Sequence, residues 1–276
     1  MLLSTVAVAE KAQYGIYNYN SLGGGYNPLG VLLDNRLYMR LPLSSKPGVL
    51  WESTKLDIGL QSSWTPADEM IGLRITLEPI AIFSLTGTIG FYGMYNIFGY
   101  GLYPFSSGNE HYGPALPQNI DPQSAAGAWY SLSPELKLKA AHIIFVNTVT
   151  ADYVSLNRTG YYLEVRNFTL RKTRDIDLIN DANLLFEFNK NLLAGCVYHY
   201  LSIFGTGINS HRISTLAIRL FPGTKLGNVF TAVTAGYYLS DPAFNHTFYL
   251  GAMAGMDLRL REHRDVSLVN SKLNVK

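Results

Sequence analysis

Charged side chains recur at every second position in several stretches of the chain, and they are the residues best suited to contact a polar solute. In the first such stretch Arg36 and Arg40 alternate with Leu37, Met39 and Leu41. An arginine or lysine side chain binds anions, and a neighbouring carboxylate either binds cations or holds the arginine in place. The full set of candidates is Arg36, Arg40, Asp57, Arg74, Glu78, Glu135, Lys137, Lys139, Glu164, Arg166, Glu187, Arg219, Asp257, Arg259 and Arg261.

Hydrolytic chemistry would need a nucleophile beside a histidine that can take its proton. Ser210 and His211 are adjacent, so they point to opposite faces if a strand has begun there. His111 and His246 lie in other loop segments, each close to a carboxylate. Because none of these spacings is diagnostic, we predict no catalytic residue, and a hydrolase with its site in the loops remains an alternative.

Metal, cofactor and nucleic-acid binding have little support in the sequence. The stretch RDIDLIND at 174–181 offers oxygen ligands but lacks the spacing of an EF-hand loop, which favours a solvated turn. Cys196 is the only cysteine, so neither an internal disulfide nor a cysteine zinc site can form. The net charge of +2 does not indicate a nucleic-acid partner. We therefore predict no metal, no cofactor and no nucleic acid.

The composition indicates a β-rich protein with an unusually uncharged surface. Charged residues make up 15% of the 276 residues, whereas ordinary soluble proteins contain about 25%. Hydrophobic residues account for only 47%, an average share, so glycine, tyrosine and small polar residues replace the missing charges. Such a composition is typical of strands and turns.

The stretch SLTGTIGFYGMYNIFGYGLYPF, Ser84–Phe105, tests whether the chain crosses a membrane as a helix. It lies in a charge-free run, 79–109, that is long enough to do so. Its apolar and small polar residues alternate with period two, however, and five glycines lie between Gly87 and Gly101. Since a helix would mix the two sets on every face, the pattern predicts a strand.

The same alternation predicts eleven strands, of which this stretch supplies one. They are expected near residues 30–42, 54–64, 69–78, 82–94, 132–146, 158–169, 182–189, 192–203, 212–221, 228–239 and 247–261. A closed sheet whose strands run up and down needs one more, from about 6–19 or from 265–275. The total is then about twelve.

Short connections alternate with long ones along the predicted strands. Tight turns are expected at 78–79, 189–191 and 221–228, and longer loops at 96–127, 171–181, 204–211 and 240–246. The chain resembles the bacterial outer-membrane β-barrel class in these alternating strands, aromatic strand ends and unequal loops. The resemblance implies an all-β fold, a closed antiparallel up-and-down transmembrane β-barrel in the outer membrane.

In such a barrel the charged residues must face inward, because an arginine or lysine on lipid at the midplane costs about 2–4 kcal/mol. The charged candidates above then line the lumen, where they either select solutes or pair with carboxylates and merely fill it. Aromatic residues at strand ends are expected to form girdles at the membrane interfaces. These are Tyr92, Tyr95, Tyr198, Tyr200, Tyr237, Tyr238, Phe248 and Tyr249.

We expect a single domain over residues 10–276, with residues 1–9 either a signal-peptide remnant or the start of the first strand. Outer-membrane lipid is the expected partner, and small solutes are a further one. The expected function is a narrow porin-like channel or a surface-structural barrel, with the long loop 96–127 either constricting the mouth or lying on the surface. The alternatives are a hydrolase embedded in the outer membrane and a soluble lipid-binding barrel.

Overall fold

A computed structural model describes residues 12–261 apart from 45, 47, 49, 98, 111, 116, 165, 225 and 226. The described part of the chain forms fifteen strands. They are β1 (Gly15–Tyr26), β2 (Gly30–Pro42), β3 (Lys55–Trp64), β4 (Asp68–Ile80), β5 (Phe83–Met94), β6 (Tyr103–Phe105), β7 (Ala125–Ala140), β8 (Ile143–Leu156), β9 (Tyr161–Glu164), β10 (Thr169–Lys172), β11 (Arg174–Asn189), β12 (Leu192–Ile203), β13 (Ile208–Thr224), β14 (Gly227–Ser240) and β15 (Phe248–Arg261).

Twelve of these strands close into one antiparallel barrel in the order β1-β15-β14-β13-β12-β11-β8-β7-β5-β4-β3-β2. Closure is made by β1 and β15, which pair along Tyr26↔Leu250 to Ile16↔Arg261. The barrel strands are 10 to 17 residues long, and about 9–11 residues suffice to cross a bilayer. The predicted closed antiparallel barrel of about twelve strands is confirmed.

The two ends of the barrel differ in the length of their connections. One end carries tight turns at 81–82, 141–142 and 190–191, together with the longer connection 43–54. The other carries the long segments 95–124 and 157–173. Because outer-membrane barrels have short periplasmic turns and longer external loops, we call these the periplasmic end and the external mouth.

Apolar side chains cover the outside of the barrel. Leu73, Ile75 and Leu77 are 39–44% exposed there, whereas Arg74 and Thr76 between them point into the barrel and bond to other inner residues. Other strands add to this belt Leu37, Leu60, Ile89, Leu132, Leu184, Val233 and Leu250. A continuous apolar belt around a closed sheet matches acyl chains rather than water. The barrel is therefore one that spans a membrane.

The stretch Ser84–Phe105, for which a membrane-spanning helix was considered, forms most of β5 and the segment after it. Ser84, Thr86 and Thr88 are buried inside the barrel, and Ile89 and Phe91 are exposed outside it, as the alternation predicts. Gly90 lies opposite Gly72 of β4, and a Cβ atom at Gly90 would lie 2.2 Å from the Ile71 carbonyl oxygen. In the described part of the chain no helix is long and apolar enough to span a bilayer.

The predicted boundaries differ from the observed strands in several places. The predicted strand 132–146 contains the hairpin turn at 141–142 that joins β7 to β8, and the predicted strand 158–169 is not part of the barrel. The twelfth strand is β1, displaced from the expected 6–19. Residues 1–9 and the alternative strand at 265–275 lie outside the described residues.

Candidate functional site

One side of the lumen is lined by charged and hydroxyl side chains from β1–β5, β7 and β15, which we call the polar wall. Arg40 and Asp57 face each other on β2 and β3, and the Nε–Oδ1 and Nη2–Oδ2 distances are both 2.8 Å. Arg36 pairs with Asp34 on its own strand at 2.6 Å. The forked Arg40–Asp57 pair holds both side chains in one geometry, whereas Arg36 and Asp34 share a single contact.

A second group of charges lies nearer the periplasmic end. The Glu78 carboxylate accepts contacts from two cations, the Nζ atoms of Lys55 at 3.4 Å and Lys137 at 3.2 Å. Lys137 also approaches Glu135, at 3.3 Å. Two lysines and two carboxylates thus alternate across β3, β4 and β7, and their charges balance.

Tyrosine rings pack against the arginines of the polar wall. The Arg36 guanidinium carbon lies 4.6 Å from the centre of the Tyr19 ring, and that of Arg40 lies 4.7 Å from the Tyr17 ring. Tyr17 in turn stacks on Tyr38, with ring centres 5.4 Å apart. Cation–π contacts and stacking stabilise both partners when they are shielded from water, so these arginines keep fixed positions.

The opposite side of the lumen is apolar in its periplasmic half. We call this surface the apolar inner wall; its buried members are Ile144, Val146, Leu185, Leu193, Val197, Leu216, Ile218 and Ala232. The sequence-based assignment of Arg219 to the lumen implies that the alternating residues Leu216, Ile218 and Leu220 of β13 face lipid, and this was wrong. The lumen therefore has one polar and one apolar side.

Truncating a residue of the apolar inner wall should destabilise the barrel more than truncating its neighbour on the lipid side. Leu185→Ala should lower the free energy of unfolding by about 2–5 kcal/mol, because it removes buried contacts and leaves a cavity. Leu184→Ala, one residue away on the lipid side, should cost about 1 kcal/mol or less, since lipid fills the space. Denaturant titration of the refolded barrel in lipid vesicles measures both. Equal losses for the two variants would contradict an inward Leu185.

The external mouth is filled by two folded segments, 95–124 and 157–173, which together we call the lid. Its strands β6, β9 and β10 form a separate three-stranded sheet, in which Tyr103 pairs with Leu163 and Leu163 with Leu170. Of the two expectations for the long loop 96–127, constriction of the mouth therefore agrees with the fold. The segment expected as the strand 158–169 belongs to the lid as well.

The lid reaches from one side of the barrel to the other. Tyr162 packs with Tyr92 and Trp129 from the inner faces of β5 and β7. Leu163 and its neighbours pack instead with Tyr238 of β14 and Phe244. In the barrel order β5 and β14 are six positions apart among twelve, which places them on opposite sides. The lid therefore spans the full width of the mouth.

Buried ion pairs join the lid to the barrel. Arg171 of the lid forms an ion pair with Asp177 of β11 and lies 4.0 Å from the lid residue Glu164. Arg166 forms an ion pair with Asp68 at the start of β4. Breaking one partner of such a buried pair costs several kcal/mol, because the other charge is left unpaired. These contacts attach the lid to the barrel.

Glu164 is the most constrained carboxylate of the lid. Its Oε1 atom accepts a hydrogen bond of 2.9 Å from the Tyr92 hydroxyl, and its Oε2 atom accepts one of 3.0 Å from the Asn167 backbone N–H. Burial raises the pKa of Glu164 above its usual value, although Arg171 opposes this shift. The bond from Tyr92 thus joins the lid to β5.

Most of the predicted charged residues point into the lumen. The structure places there Arg36, Arg40, Asp57, Arg74, Glu78, Glu135, Lys137, Lys139, Glu187, Asp257 and Arg259. Lys139 and Glu187 form a pair of 2.7 Å near the periplasmic end. Glu164 and Arg166 lie in the lid rather than on a barrel strand.

Arg219 was wrongly assigned to the lumen. It is exposed on the outside of β13, where its guanidinium carbon lies 5.9 Å from the centre of the Phe221 ring. The alternation of β13 was correct, but Leu216 and Ile218 face inward, so Arg219 at the next position faces outward. The Arg261 side chain lies outside the described part of the structure.

Three of the aromatic residues expected in the interfacial girdles point inward instead. Tyr92 and Tyr238 are buried under the lid on opposite sides of the barrel, and the Tyr249 ring packs beside Tyr238. On the outside of the barrel lie Tyr198, Tyr200, Tyr237 and Phe248. Tyr95 follows the end of β5, where its backbone N–H donates to the Ala67 carbonyl oxygen at 2.8 Å.

The serine and histidine candidates are not brought together. Ser210 is buried inside the barrel and donates a 2.5 Å hydrogen bond to Asp241. His211 lies on the outer face, where its Nδ1 atom is 2.6 Å from the Tyr198 hydroxyl. His246 packs near Tyr237, also outside. His111 lies outside the described residues.

Sequence reasoning missed the residues that fasten the lid, chiefly Arg171 and Asp177. The stretch RDIDLIND was interpreted as a solvated turn, whereas it is the start of β11. A signal was available, because Asp175 and Asp177 alternate with Ile176 and Leu178 at the period of a strand.

These features define the class of the protein. An even number of antiparallel strands closes without free edges, an apolar belt faces outward, and charged pairs lie within. Lipid cannot hydrogen-bond a free strand edge, so closure is what a membrane requires of a sheet. The chain is an outer-membrane β-barrel of the bacterial class, and its location is the bacterial outer membrane.

Comparison with known proteins finds similar folds among solved structures, at low sequence identity. No protein-family model matches the chain, and no curated protein matches it. Among solved structures it is similar to the NanC porin, at 8% identity and a TM-score of 0.42, over 88% of this chain and 98% of that one. It is also similar to OmpT, an outer membrane protein of Vibrio cholerae, at 7% identity and a TM-score of 0.36, over 90% of this chain and 98% of that one. A third is the translocator domain of autotransporter NalP from Neisseria meningitidis, at 8% identity and a TM-score of 0.40, over 93% of this chain and 91% of that one.

Proposed function

We propose that the barrel is a narrow channel for small solutes, and that the lid closes its external mouth in the state described here. The observation that carries the proposal is the polar wall, which continues from the lid to the periplasmic end. A barrel with a purely structural role needs no such series of charges, since an apolar or hydroxyl filling costs less to desolvate.

The size of the barrel supports the same proposal. Barrels of about eight strands are filled by side chains, and those of about sixteen hold a wide aqueous channel. Twelve strands lie between these limits. Inward tyrosines and arginines narrow the lumen further, so the solutes should be small.

The direct test is single-channel recording in planar bilayers. We expect the wild-type barrel to conduct in discrete steps. Lys137→Glu and Arg259→Glu should each shift the ion selectivity towards cations by severalfold, because a fixed charge in a narrow lumen concentrates counter-ions. Lys190→Glu is the matched control, as this lysine is exposed in the periplasmic turn at 190–191, outside the lumen.

A wild-type barrel and a lid-deleted barrel that both fail to conduct would overturn the channel proposal. The protein would then be a surface-structural barrel. Folding of every variant is checked by its migration in unheated detergent gels, where closed barrels run faster than unfolded chains.

A further inference from the structure

Arg74 occupies the middle of the polar wall and lacks the carboxylate partner that its neighbours have. It is the seventh of the thirteen residues of β4, which places it near the midplane of the membrane. Its Nη1 atom donates to Gln61 Oε1 at 3.1 Å, and its Nη2 atom donates to Thr86 Oγ1 at 3.4 Å. A guanidinium has five N–H donors, so three of them have no partner among the described residues.

The carboxylates that act on Arg74 through space are each bound to another cation. Asp34 pairs with Arg36 at 2.6 Å, and Asp57 pairs with Arg40 at 2.8 Å. The third, Glu135, pairs with Lys137 at 3.3 Å. Among the described residues no carboxylate lies within ion-pair distance of Arg74, so its charge is not balanced locally.

The surroundings of Arg74 contain polar groups suited to an anion. Thr88 lies opposite it on β5, and the Thr76 and Thr86 hydroxyls lie 2.9 Å apart beside it. Arg36 is close enough to repel it and has a buried Nε–H that finds no hydrogen-bond partner among the described residues. Hydroxyl and guanidinium donors around an unbalanced positive charge are what an oxyanion needs.

We propose that Arg74 and the hydroxyls of Thr86 and Thr88 form a binding site for one small oxyanion, a carboxylate or phosphate group on the permeating solute. The oxyanion would accept two parallel hydrogen bonds from the free edge of the guanidinium. It would thereby balance the charge that the barrel leaves open at its midpoint. This inference rests on the proposed channel and names the class of its solutes.

The test measures how inorganic phosphate blocks the chloride current when added from the periplasmic end. Wild-type protein should be blocked in a saturable way. Arg74→Gln should raise the half-blocking phosphate concentration on the order of ten- to a hundredfold, because charged hydrogen bonds are lost. Arg74→Lys keeps the positive charge but loses the planar guanidinium donors. Its half-blocking phosphate concentration should lie between those of the wild type and Arg74→Gln.

Arg212→Gln is the matched control. Arg212 also points into the lumen and has no carboxylate within ion-pair distance among the described residues, but its guanidinium carbon lies 4.1 Å from the centre of the Tyr249 ring. In the barrel order β13 and β4 are six positions apart among twelve, so Arg212 lies across the lumen from Arg74 and this substitution should leave the phosphate block unchanged. If Arg212→Gln and Arg74→Gln raised the half-blocking phosphate concentration equally, the block would depend only on the net charge of the lumen. That result would overturn the proposed site.

The two proposals can fail separately. A wild-type current that phosphate does not block would overturn the anion site and leave the channel intact. If no variant conducts, calorimetric titration of the detergent-solubilised barrel with phosphate decides the matter. Binding that is lost in Arg74→Gln and kept in Arg212→Gln would support the site, and absent binding would overturn it.

Discussion

The Arg171→Gln variant is expected to be open far more often than the wild-type channel. The substitution leaves Asp177 and Glu164 as buried carboxylates without their cation. Breaking such a pair costs about 3 kcal/mol or more. Here the penalty applies to the closed lid, because the strand pairing of the barrel does not depend on it. The closed-to-open ratio should fall by about a hundredfold.

Arg158→Gln is the control for this experiment. Arg158 lies in the same lid segment, but it is exposed and donates to the Ser124 carbonyl oxygen at 2.8 Å rather than to a charged group. Its loss should leave the open probability near the wild-type value. Open probability is read from single-channel recordings, and folding of both variants from their gel migration.

A second measurement separates lid release from loss of structure. In Arg171→Gln the backbone amides of Leu163 and Leu170, which lie opposite each other in the lid sheet, should exchange hydrogen faster; the Leu170 N–H donates to the Tyr112 hydroxyl of the lid at 3.3 Å. Amides in the middle of the barrel strands should keep their protection. An unchanged open probability together with faster exchange would show that the lid does not close the channel.

The Leu132→Arg variant is expected not to assemble in the membrane. Leu132 lies near the middle of β7 and is 51% exposed on the outside of the barrel. An arginine at the midplane on the lipid side costs about 2–4 kcal/mol. That cost is a large share of the stability of a typical domain. The yield of folded barrel after refolding into lipid vesicles should fall severalfold or more.

Ser131→Arg places the same side chain one residue away, inside the lumen. There it faces Asp152 of β8, its register partner, so the new charge has a carboxylate to pair with. The yield of folded barrel should stay close to that of the wild type. If Ser131→Arg failed and Leu132→Arg assembled, the two faces of the sheet would be reversed and the membrane assignment wrong.

The sequence alone predicted the closed barrel well, because a strand displays its two faces at every second residue. In β4 the alternation of Leu73, Ile75 and Leu77 with Arg74 and Thr76 predicted which side meets lipid. The large cost of a charge on lipid leaves one orientation for such a strand. In β13 each face carries an arginine, Arg212 inside and Arg219 outside, so this argument selects neither side, and Arg219 was placed on the wrong side.

The lid could not be predicted, because its residues show the same period-two alternation as a barrel strand. Tyr161, Leu163 and Glu164 follow the alternation of a strand, and they do form one, but in a separate sheet. Which sheet a strand joins depends on partners distant in sequence, such as Tyr238 and Phe244. Aromatic residues under the lid were assigned to the interfacial girdle for the same reason.

What the sequence determined by itself is therefore the part set by local periodicity and by the cost of charge in lipid, namely a closed barrel of twelve antiparallel strands in an outer membrane. Only the tertiary structure decided which segments leave the wall to close the mouth, which arginines find carboxylates and that Arg74 does not. Pairing and packing across the lumen join residues from strands on opposite sides of the barrel. The period-two alternation along the chain contains no information about those contacts.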